Sequence, residues 1–220
     1  MENSRHFQYG DQEIEYLKKK DKRLAEVIDA IGPIRREVED DLFTSVVHHI
    51  VGQQISTKAQ RTVWGKVVDL TGDVHARSIL DAGVDELQKC GLSFRKAEYI
   101  VDFAHKVHCG NFDLEGLSDK VDEEVIKELS SLRGIGEWTA EMILLFCMKR
   151  PDVLSYGDLA IQRGMRMIYR HRKIDRKKFE MYRRRYSPYG STASLYIWAV
   201  AGGAIEGLTD CAPAPKKVKR

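Results

Sequence analysis

The spacing of apolar residues constrains the fold of this chain more than any other feature of its sequence. Apolar side chains recur at the helical interval in segment after segment, so that each segment carries one apolar face. No segment shows a convincing alternation of apolar and polar residues, which is the pattern of a half-buried strand. The sequence therefore predicts an all-α fold.

The breaks between these segments set the bounds of the predicted helices. Glycine, proline and capping residues stand at most of the breaks, as expected for helix termini. Ser118 or Asp119 is the predicted N-cap of the helix that ends at Leu129. The first helix carries Leu17, Leu24, Val27, Ile28 and Ile31 and ends near Gly32-Pro33, and the others cover residues 42–52, 56–70, 77–82, 84–90, 93–107, 118–129, 137–149, 159–169, 175–186 and 188–201.

Composition is typical of a globular protein that works inside the cell. The chain has 220 residues, of which 43% are hydrophobic and 31% charged. No apolar run is long enough to span a bilayer, and the N-terminus has no apolar signal core. We therefore expect an intracellular protein with no membrane partner.

The four cysteines are scattered along the chain. Cys90, Cys109, Cys147 and Cys211 are too far apart in sequence to form a paired metal-ligand motif. Iron–sulfur clusters are usually held by closely spaced cysteines. We expect four free thiols and no iron–sulfur cluster.

Positive charge is concentrated in one part of the chain, although the net charge is only +3. Between Gln162 and Tyr186, eleven basic residues face only Asp175 and Glu180. A polyanionic partner would explain this asymmetry, and so would an ordinary solvated helical face. The basic residues are Arg163, Arg166, Arg170, Arg172, Lys173, Arg176, Lys177, Lys178, Arg183, Arg184 and Arg185.

A tight turn at Ser131–Gly136 joins two apolar helices. Gly134 and Gly136 permit positive φ and a close approach of another backbone. The helix that follows points free N–H groups outward, which is a suitable site for a phosphate, and the Thr139 hydroxyl could add a contact. Two glycines alone are more typical of a plain helix corner.

The complete motif is more specific. The segments LRGIGEWTA and DVLSYGDLAIQR, together with GQQIS at 52–56 and GLSFRKAEYI at 91–100, resemble the helix-hairpin-helix DNA glycosylases over residues 24–201. The closest likeness is to the 3-methyladenine DNA glycosylase II branch, which acts in alkylation repair. The resemblance implies two helical subdomains with the active-site cleft between them.

The same resemblance assigns the parts of the chain. Residues 1–40 and 170–210 would form a discontinuous helical subdomain. Residues 41–169 would form a helical-barrel subdomain that contains a wedge loop (52–56), the helix-hairpin-helix (about 122–149) and a catalytic loop (150–158). Residues 211–220, rich in Ala, Pro and Lys, are predicted to be a disordered basic tail.

Asp158 matches the catalytic aspartate of the family. Breaking an N-glycosidic bond develops positive charge on the deoxyribose, and a carboxylate stabilises that charge or orients water. An Asp at a helix start is otherwise an ordinary N-cap, and the neighbouring hairpin favours the catalytic interpretation. Gly134, Gly136, Thr139 and Arg163 are the predicted contacts to DNA phosphate. In this branch the carbonyls matching Ser130, Leu132 and Gly134 hold a monovalent cation.

Trp138 bears on the reaction type. Bifunctional relatives carry a lysine at this position, and a tryptophan cannot form a Schiff base, so we expect a monofunctional enzyme. Cationic alkylated purines favour electron-rich rings, which suggests a base pocket of Trp138, Trp198 and Tyr156. Leu159 and Met142 stand where a well-known member has tyrosines.

The wedge loop would fill the gap left by a flipped base. Gln54 is the first candidate for the inserted side chain, followed by Ile55 and Gln53.

Together these features predict a monofunctional DNA glycosylase of base excision repair. It would release 3-methyladenine and 7-methylguanine from double-stranded DNA and leave an abasic site. We expect a monomer that needs no cofactor, with Na⁺ or K⁺ at the hairpin, in a bacterial cytoplasm or nucleoid, or in a nucleus if the source is eukaryotic.

Three other functions stay open at this point. The first is a glycosylase for oxidised guanine, which the missing lysine disfavours. The second is a uracil or mismatch glycosylase, which usually brings four clustered cysteines. The third is a non-catalytic DNA-binding module, which would need neither Asp158 nor Trp138.

Overall fold

A computed structural model of the chain describes residues 6–213. Within this part of the chain the secondary structure is helical, and the only β-type pairing is an isolated antiparallel bridge between His6 and Glu37. The predicted all-α fold is confirmed. The helices are α1 (Asp11–Lys20), α2 (Lys22–Ile31), α3 (Leu42–Gly52), α4 (Thr57–Thr71), α5 (Ala76–Lys89), α6 (Phe94–His108), α7 (Asp122–Leu129), α8 (Glu137–Phe146), α9 (Leu159–Tyr169), α10 (Arg176–Tyr186) and α11 (Gly190–Ala201), with a 3-10 helix at Glu115–Asp119.

The chain forms two compact units, and one of them is continuous. This central unit spans Val38–Met148 and contains α3 to α8. Helix α6 packs on α5 and α3, while α8 packs on α7 and α3. Helix α5 consists of two helical segments that meet at Gly83, whose φ of 72° interrupts the helix. The two short helices predicted there are thus confirmed.

The other unit combines both ends of the chain, Met1–Glu37 and Lys149–Arg220. Helix α9 packs on α11 and α2 in this terminal unit, and α1 contacts α2, α10 and α11. The core is formed by residues from all five helices and from the segment before α9, and it includes Leu17, Leu24, Val27, Ile28, Leu154, Ile161, Met165, Phe179, Tyr186, Tyr196 and Ile197.

The division between the units differs from the predicted subdomains. The first boundary, predicted after residue 40, lies after Glu37, and the second, predicted after residue 169, lies after Met148. The catalytic loop and α9 therefore belong to the terminal unit. The reason is long-range packing, because the buried face of α9 shares one core with α2 and α11.

Three predicted helices have different bounds in the structure. The first is split at Asp21, which has extended backbone angles and caps α2 by accepting hydrogen bonds from the N–H groups of Arg23 and Leu24. The helix predicted from residue 118 starts at Asp122, because Ser118 and Asp119 lie in the 3-10 helix. The helix predicted to reach Lys149 ends at Phe146, and Lys149 itself has a left-handed φ of 56°.

The predicted tail lies largely outside the described residues, which end at Pro213. Its first three residues, Cys211 to Pro213, have no regular secondary structure. No helix between residues 6 and 213 is long and apolar enough to cross a membrane.

Candidate active site and DNA-binding hairpin

Asp158 is the N-cap of α9. Its Oδ1 accepts hydrogen bonds from the backbone N–H groups of Ala160 at 2.7 Å and Ile161 at 2.9 Å. The residue is only 7% exposed, while its neighbour Leu159 is 80% exposed. The positive end of the helix dipole favours a negatively charged group at this position. The cap interpretation and the catalytic interpretation are compatible, because the cap fixes where the carboxylate lies.

The catalytic loop before Asp158 is held by two serines of α11. Ser191 Oγ donates to the carbonyl of Arg150 at 2.5 Å and accepts from Val153 N–H at 2.9 Å. Ser194 Oγ donates to the carbonyl of Val153 at 2.8 Å. Both serines are buried, so these bonds are shielded from competing water. The loop that leads to the carboxylate is therefore rigidly attached to the core of the terminal unit.

Asp152 fixes the same loop from its other side. Its carboxylate accepts hydrogen bonds from Gly190 N–H at 3.0 Å and from Ser187 Oγ at 2.6 Å. A side chain at position 190 would place its Cβ 2.7 Å from Asp152 Oδ1, so the close approach requires glycine. This arrangement ties the start of α11 to the start of the catalytic loop.

The other predicted site residues of this unit differ in their surroundings. Arg163 is exposed on α9, five residues after Asp158, where it can meet a phosphate. Tyr156 is half-buried, with its ring 5.1 Å from that of Phe179 and 4.9 Å from the Arg176 guanidinium. Trp198 is half-buried and packs against the core of the terminal unit.

The hairpin between α7 and α8 depends on Gly134. Its φ is +87°, and a Cβ at this position would lie 2.4 Å from the Tyr99 ring. Arg133 lies over the same ring, with its guanidinium carbon 5.1 Å from the centre of the Tyr99 ring. Gly136 has a φ of −100° and nothing within 4 Å of its Cβ position, so only Gly134 uses the special freedom of glycine.

The start of α8 presents Trp138 and buries Thr139. The tryptophan side chain is 46% exposed, whereas Thr139 is 6% exposed. Gly136 offers no side-chain cap to the first turn of α8, which leaves backbone N–H groups for an external acceptor. The burial of Thr139 does not favour the predicted contact between its hydroxyl and a phosphate.

The predicted wedge loop is fastened to the hairpin within the central unit. Gln53 Nε2 donates a hydrogen bond of 2.7 Å to the carbonyl of Gly134. Lys96 Nζ donates to the carbonyls of Val51 at 2.9 Å and Gln53 at 2.5 Å, and burial lowers the pKa of this amine. Gln53 is thus engaged as an anchor, which does not favour it as the inserted side chain.

The tip of the loop is exposed. Gln54 has a left-handed φ of 58°, and Ile55 is exposed although it is apolar. A non-glycine residue with positive φ carries a conformational cost that other contacts must offset, and such positions are frequent at functional sites. Gln54 and Ile55 remain the candidates for insertion into DNA.

The predicted cation ligands form a single short turn. The carbonyl of Leu132 accepts a hydrogen bond from Ile135 N–H at 3.1 Å, and that of Gly134 accepts from Gln53. A carbonyl oxygen has two lone pairs, so both retain a second acceptor position. Ser130 Oγ is buried and has no hydrogen-bond partner among the described residues.

Sequence reasoning missed the residues that hold the site together. Lys96, Tyr99, Ser191 and Ser194 contact the loops and carry none of the predicted chemistry. A signal existed for the serines, because two hydroxyls three residues apart interrupt the apolar sequence of α11. Between residues 6 and 213, no group of three or more His, Cys, Asp or Glu side chains is arranged to hold a metal ion.

Known proteins are similar to this chain in fold and in sequence. The sequence model of the HhH-GPD superfamily of base excision DNA repair proteins matches residues 47–188. DNA-3-methyladenine glycosylase 1 of Schizosaccharomyces pombe is 26% identical over 182 residues, which cover 80% of this chain and 80% of that protein. A crystal structure of DNA-3-methyladenine glycosidase from Bacillus halodurans has a TM-score of 0.81 and 34% identity, covering 91% of this chain and 94% of that chain.

A third similarity concerns the fold. The Schizosaccharomyces pombe 3-methyladenine DNA glycosylase in complex with abasic DNA has a TM-score of 0.76 at 24% identity, and covers 87% of this chain and 97% of that chain. The superfamily match spans more than half of the chain and includes the hairpin and Asp158. The chain therefore belongs to the HhH-GPD superfamily of base excision DNA repair proteins.

Proposed function

We propose that this protein is a monofunctional DNA glycosylase that releases alkylated purines, such as 3-methyladenine and 7-methylguanine, from double-stranded DNA. The observation that carries the proposal is Asp158, a buried carboxylate held at the N-terminus of α9 by two backbone N–H groups. Relatives with matching sequence and fold are named 3-methyladenine glycosylases, which supports the substrate class.

The chemistry that we assign to Asp158 is hydrolysis of the bond between base and deoxyribose. The carbon–nitrogen bond breaks with both electrons going to the base, and positive charge develops on the sugar. The carboxylate stabilises this charge and orients the water whose oxygen bonds to the sugar carbon, while the proton of that water passes to solvent. A purine alkylated at N3 or N7 is already cationic and leaves as a neutral base, so it needs little acid catalysis.

The proposed absence of strand cleavage rests on Trp138. An indole has no amine that could attack the sugar and form a Schiff base. The ring at the start of α8 is 46% exposed, and we assign to it stacking on a cationic base, where cation–π attraction contributes roughly 0.5 to 2 kcal/mol. Trp198 and Tyr156 are the proposed further aromatic residues of the base pocket.

DNA would be held by the hairpin and opened by the loop at 52–56. Backbone N–H groups at the start of α8 and the exposed Arg163 would bind phosphates. Gln54 or Ile55 would fill the space left by the flipped base. The protein would act as a monomer, since one lesion needs one site, and would work inside the cell where genomic DNA lies.

A monovalent cation at the hairpin is a further part of the proposal. The carbonyls of Ser130, Leu132 and Gly134 are hard oxygen donors, which fit Na⁺ or K⁺, and the orphaned Ser130 hydroxyl shows unused polar capacity at this turn. Such a cation would add positive charge toward a DNA phosphate. Exchanging K⁺ for tetramethylammonium at constant ionic strength should then weaken DNA binding.

The substrate assignment is tested by base release from matched duplexes. We expect the protein to release 3-methyladenine and 7-methylguanine from methylated DNA and to leave strands that break only after alkali treatment. Duplexes with oxidised guanine or uracil serve as controls. Activity confined to one of those controls would overturn the substrate class, and binding without any release would indicate a non-catalytic DNA-binding module.

Reaction type is tested separately with borohydride. A monofunctional enzyme should give no covalent protein–DNA adduct above the level seen when sodium chloride replaces borohydride. Efficient trapping of the wild-type protein would show that an amine attacks the sugar, and would contradict the role given to Trp138.

A further inference from the structure

The terminal unit has a positively charged pocket that the proposed active site does not use. The pocket has a volume of about 380 Å³ and lies where the start of α2, the end of α9 and one face of α10 meet. We call it the basic pocket. It is lined by Asp21, Lys22, Arg23, Tyr169, His171, Tyr182 and Arg185.

The single carboxylate in the basic pocket is already neutralised. Asp21 Oδ2 accepts a hydrogen bond of 2.5 Å from Arg185 Nη1, and Oδ1 accepts from the N–H groups of Arg23 at 3.1 Å and Leu24 at 3.0 Å. Asp21 is 4% exposed, so its negative charge is compensated by these groups inside the protein and faces little solvent. What the pocket presents outward is therefore the charge of its basic residues.

Several of those basic side chains have no acidic partner. Lys22 and Arg23 are exposed, and neither makes an ion pair with any described residue. The same is true of Arg170 and Arg172, which flank the pocket residues Tyr169 and His171 in the chain. Of these four residues, Lys22 and Arg23 line the cavity, and cations without counter-charges attract an anion.

The imidazole of His171 lies close to the positive charges of neighbouring basic residues. Burial lowers the pKa of its imidazole, and the charges of Lys178 and Arg23 lower it further, against a weaker opposite effect of Asp175. Its Nε2 lies 2.8 Å from the Tyr182 hydroxyl, which places two hydrogen-bonding groups in the pocket wall. Polar groups and cations together suit a phosphate group.

The position of the pocket on α9 separates it from Asp158. Asp158 caps the first residue of the helix, and Tyr169 at its last residue lines the pocket. Eleven residues separate these ends, and at about 1.5 Å per residue they span about 17 Å. This distance is too long for a phosphate of the damaged nucleotide, so a phosphate bound in the pocket would belong to another part of the duplex.

We propose that the basic pocket binds a backbone phosphate of the duplex, away from the flipped base. The inference rests on the proposed function in taking DNA as the substrate. The pocket would then add affinity that is independent of the lesion, together with a fixed orientation of the duplex.

The experiment measures binding to undamaged DNA, so that it does not depend on base release. Lys22→Gln, Arg23→Gln and Arg172→Gln are combined in one variant, and a control variant removes the same charge from the central unit through Lys66→Gln, Arg77→Gln and Lys89→Gln. Dissociation constants for a duplex of about 20 base pairs are measured from 0.05 to 0.3 M NaCl, with circular dichroism as a check on folding.

Losing one phosphate contact should reduce the slope of log K against log [NaCl] by about 1, which corresponds to about tenfold weaker binding at 0.1 M salt. The control variant should change much less.

Two results would overturn the proposal. The first is a salt slope that is the same for the pocket variant, the control variant and the wild-type protein. The second is tight binding of inorganic phosphate or a mononucleotide that the pocket variant loses while its DNA binding stays normal, since the pocket would then serve a free ligand. A wild-type protein that binds DNA with the expected slope and releases no base would refute the proposed function and leave this inference standing.

Discussion

Replacing Gly164 with alanine should destabilise the terminal unit, although alanine normally favours a helix. Gly164 lies in α9 where this helix crosses α11. A Cβ there would lie 2.2 Å from the carbonyl oxygen of Ile197 and 2.7 Å from its Cγ2. Ile197 is fully buried and part of the core, so its backbone cannot move aside without moving α11.

The expected magnitude follows from two opposing effects. Forcing an extra carbon into a packed interface costs roughly 1 to 3 kcal/mol. Alanine is preferred over glycine inside a helix by roughly 1 kcal/mol. The difference is about 0 to 2 kcal/mol, and the 2.2 Å approach to a backbone oxygen places the expected loss in the upper half of that range. A loss of about 1 to 2 kcal/mol lowers the Tm of a chain of this length by roughly 2 to 8 °C.

Gly65→Ala is the matched control for this measurement. Gly65 lies inside α4 and has nothing within 4 Å of its Cβ position, so alanine should raise stability by about 0.5 to 1 kcal/mol. Calorimetry on both variants compares the same chemical change with opposite expected signs. If Gly164→Ala melted at or above the temperature of the wild-type protein, the tight α9–α11 crossing would be refuted.

Two further predictions concern the central unit. Lys96→Met removes two charge-assisted hydrogen bonds to the carbonyls of Val51 and Gln53, and should lower the unfolding free energy measured in urea by about 2 kcal/mol. The control Arg95→Met changes the exposed neighbouring residue and should cost little. Equal losses in the two variants would contradict the anchoring role of Lys96. Burial lowers the pKa of His48 and His49 below the ordinary 6.5. As the pH drops below 6.5, the unfolded chain therefore binds protons that the folded chain does not. The unfolding free energy should have its full value above pH 6.5 and should decrease below it. The urea midpoint should therefore be lower at pH 5.5 than at pH 7.5, and a pH dependence that persists unchanged when both histidines are replaced with asparagine would show that other groups cause it.

Local patterns in the sequence were sufficient to predict most of the helices. The apolar spacing and the glycine at position 83 predicted two short helices where α5 bends. The break at Asp21 was missed because apolar residues continue on both sides of it, with Leu17 before and Leu24 after, as one helix face would require. A capping aspartate has no effect on that spacing, and its role became visible only in its hydrogen bonds to the start of α2.

The sequence motif indicated which residues could carry the chemistry of the site, and indicated less well which contacts surround them. Asp158, Trp138 and Gly134 were predicted from a motif, because the roles proposed for them depend on residue type at fixed spacing. The predicted phosphate contact of Thr139 is not favoured by its burial, which its position on one helix face with the buried Met142 and Ile143 would have indicated.

Contacts between distant segments could not be inferred from local spacing. The bond from Gln53 to Gly134 joins residues 81 positions apart, and those from Ser191 and Ser194 to the catalytic loop span about 40 positions. The boundary after Met148 has the same origin, because it depends on which core α9 joins.

The central claim is that Asp158 supplies the charge that breaks the glycosidic bond. Asp158→Asn keeps the size of the side chain and an oxygen that can accept the N–H groups of Ala160 and Ile161, but removes the negative charge. Single-turnover release of 7-methylguanine and the dissociation constant should be measured on the same duplex. We predict that release falls by at least about a hundredfold, which is typical when an electrostatic stabiliser is removed, while binding stays within a few-fold of wild type. Release at a near-normal rate by a folded, DNA-binding variant would contradict the claim.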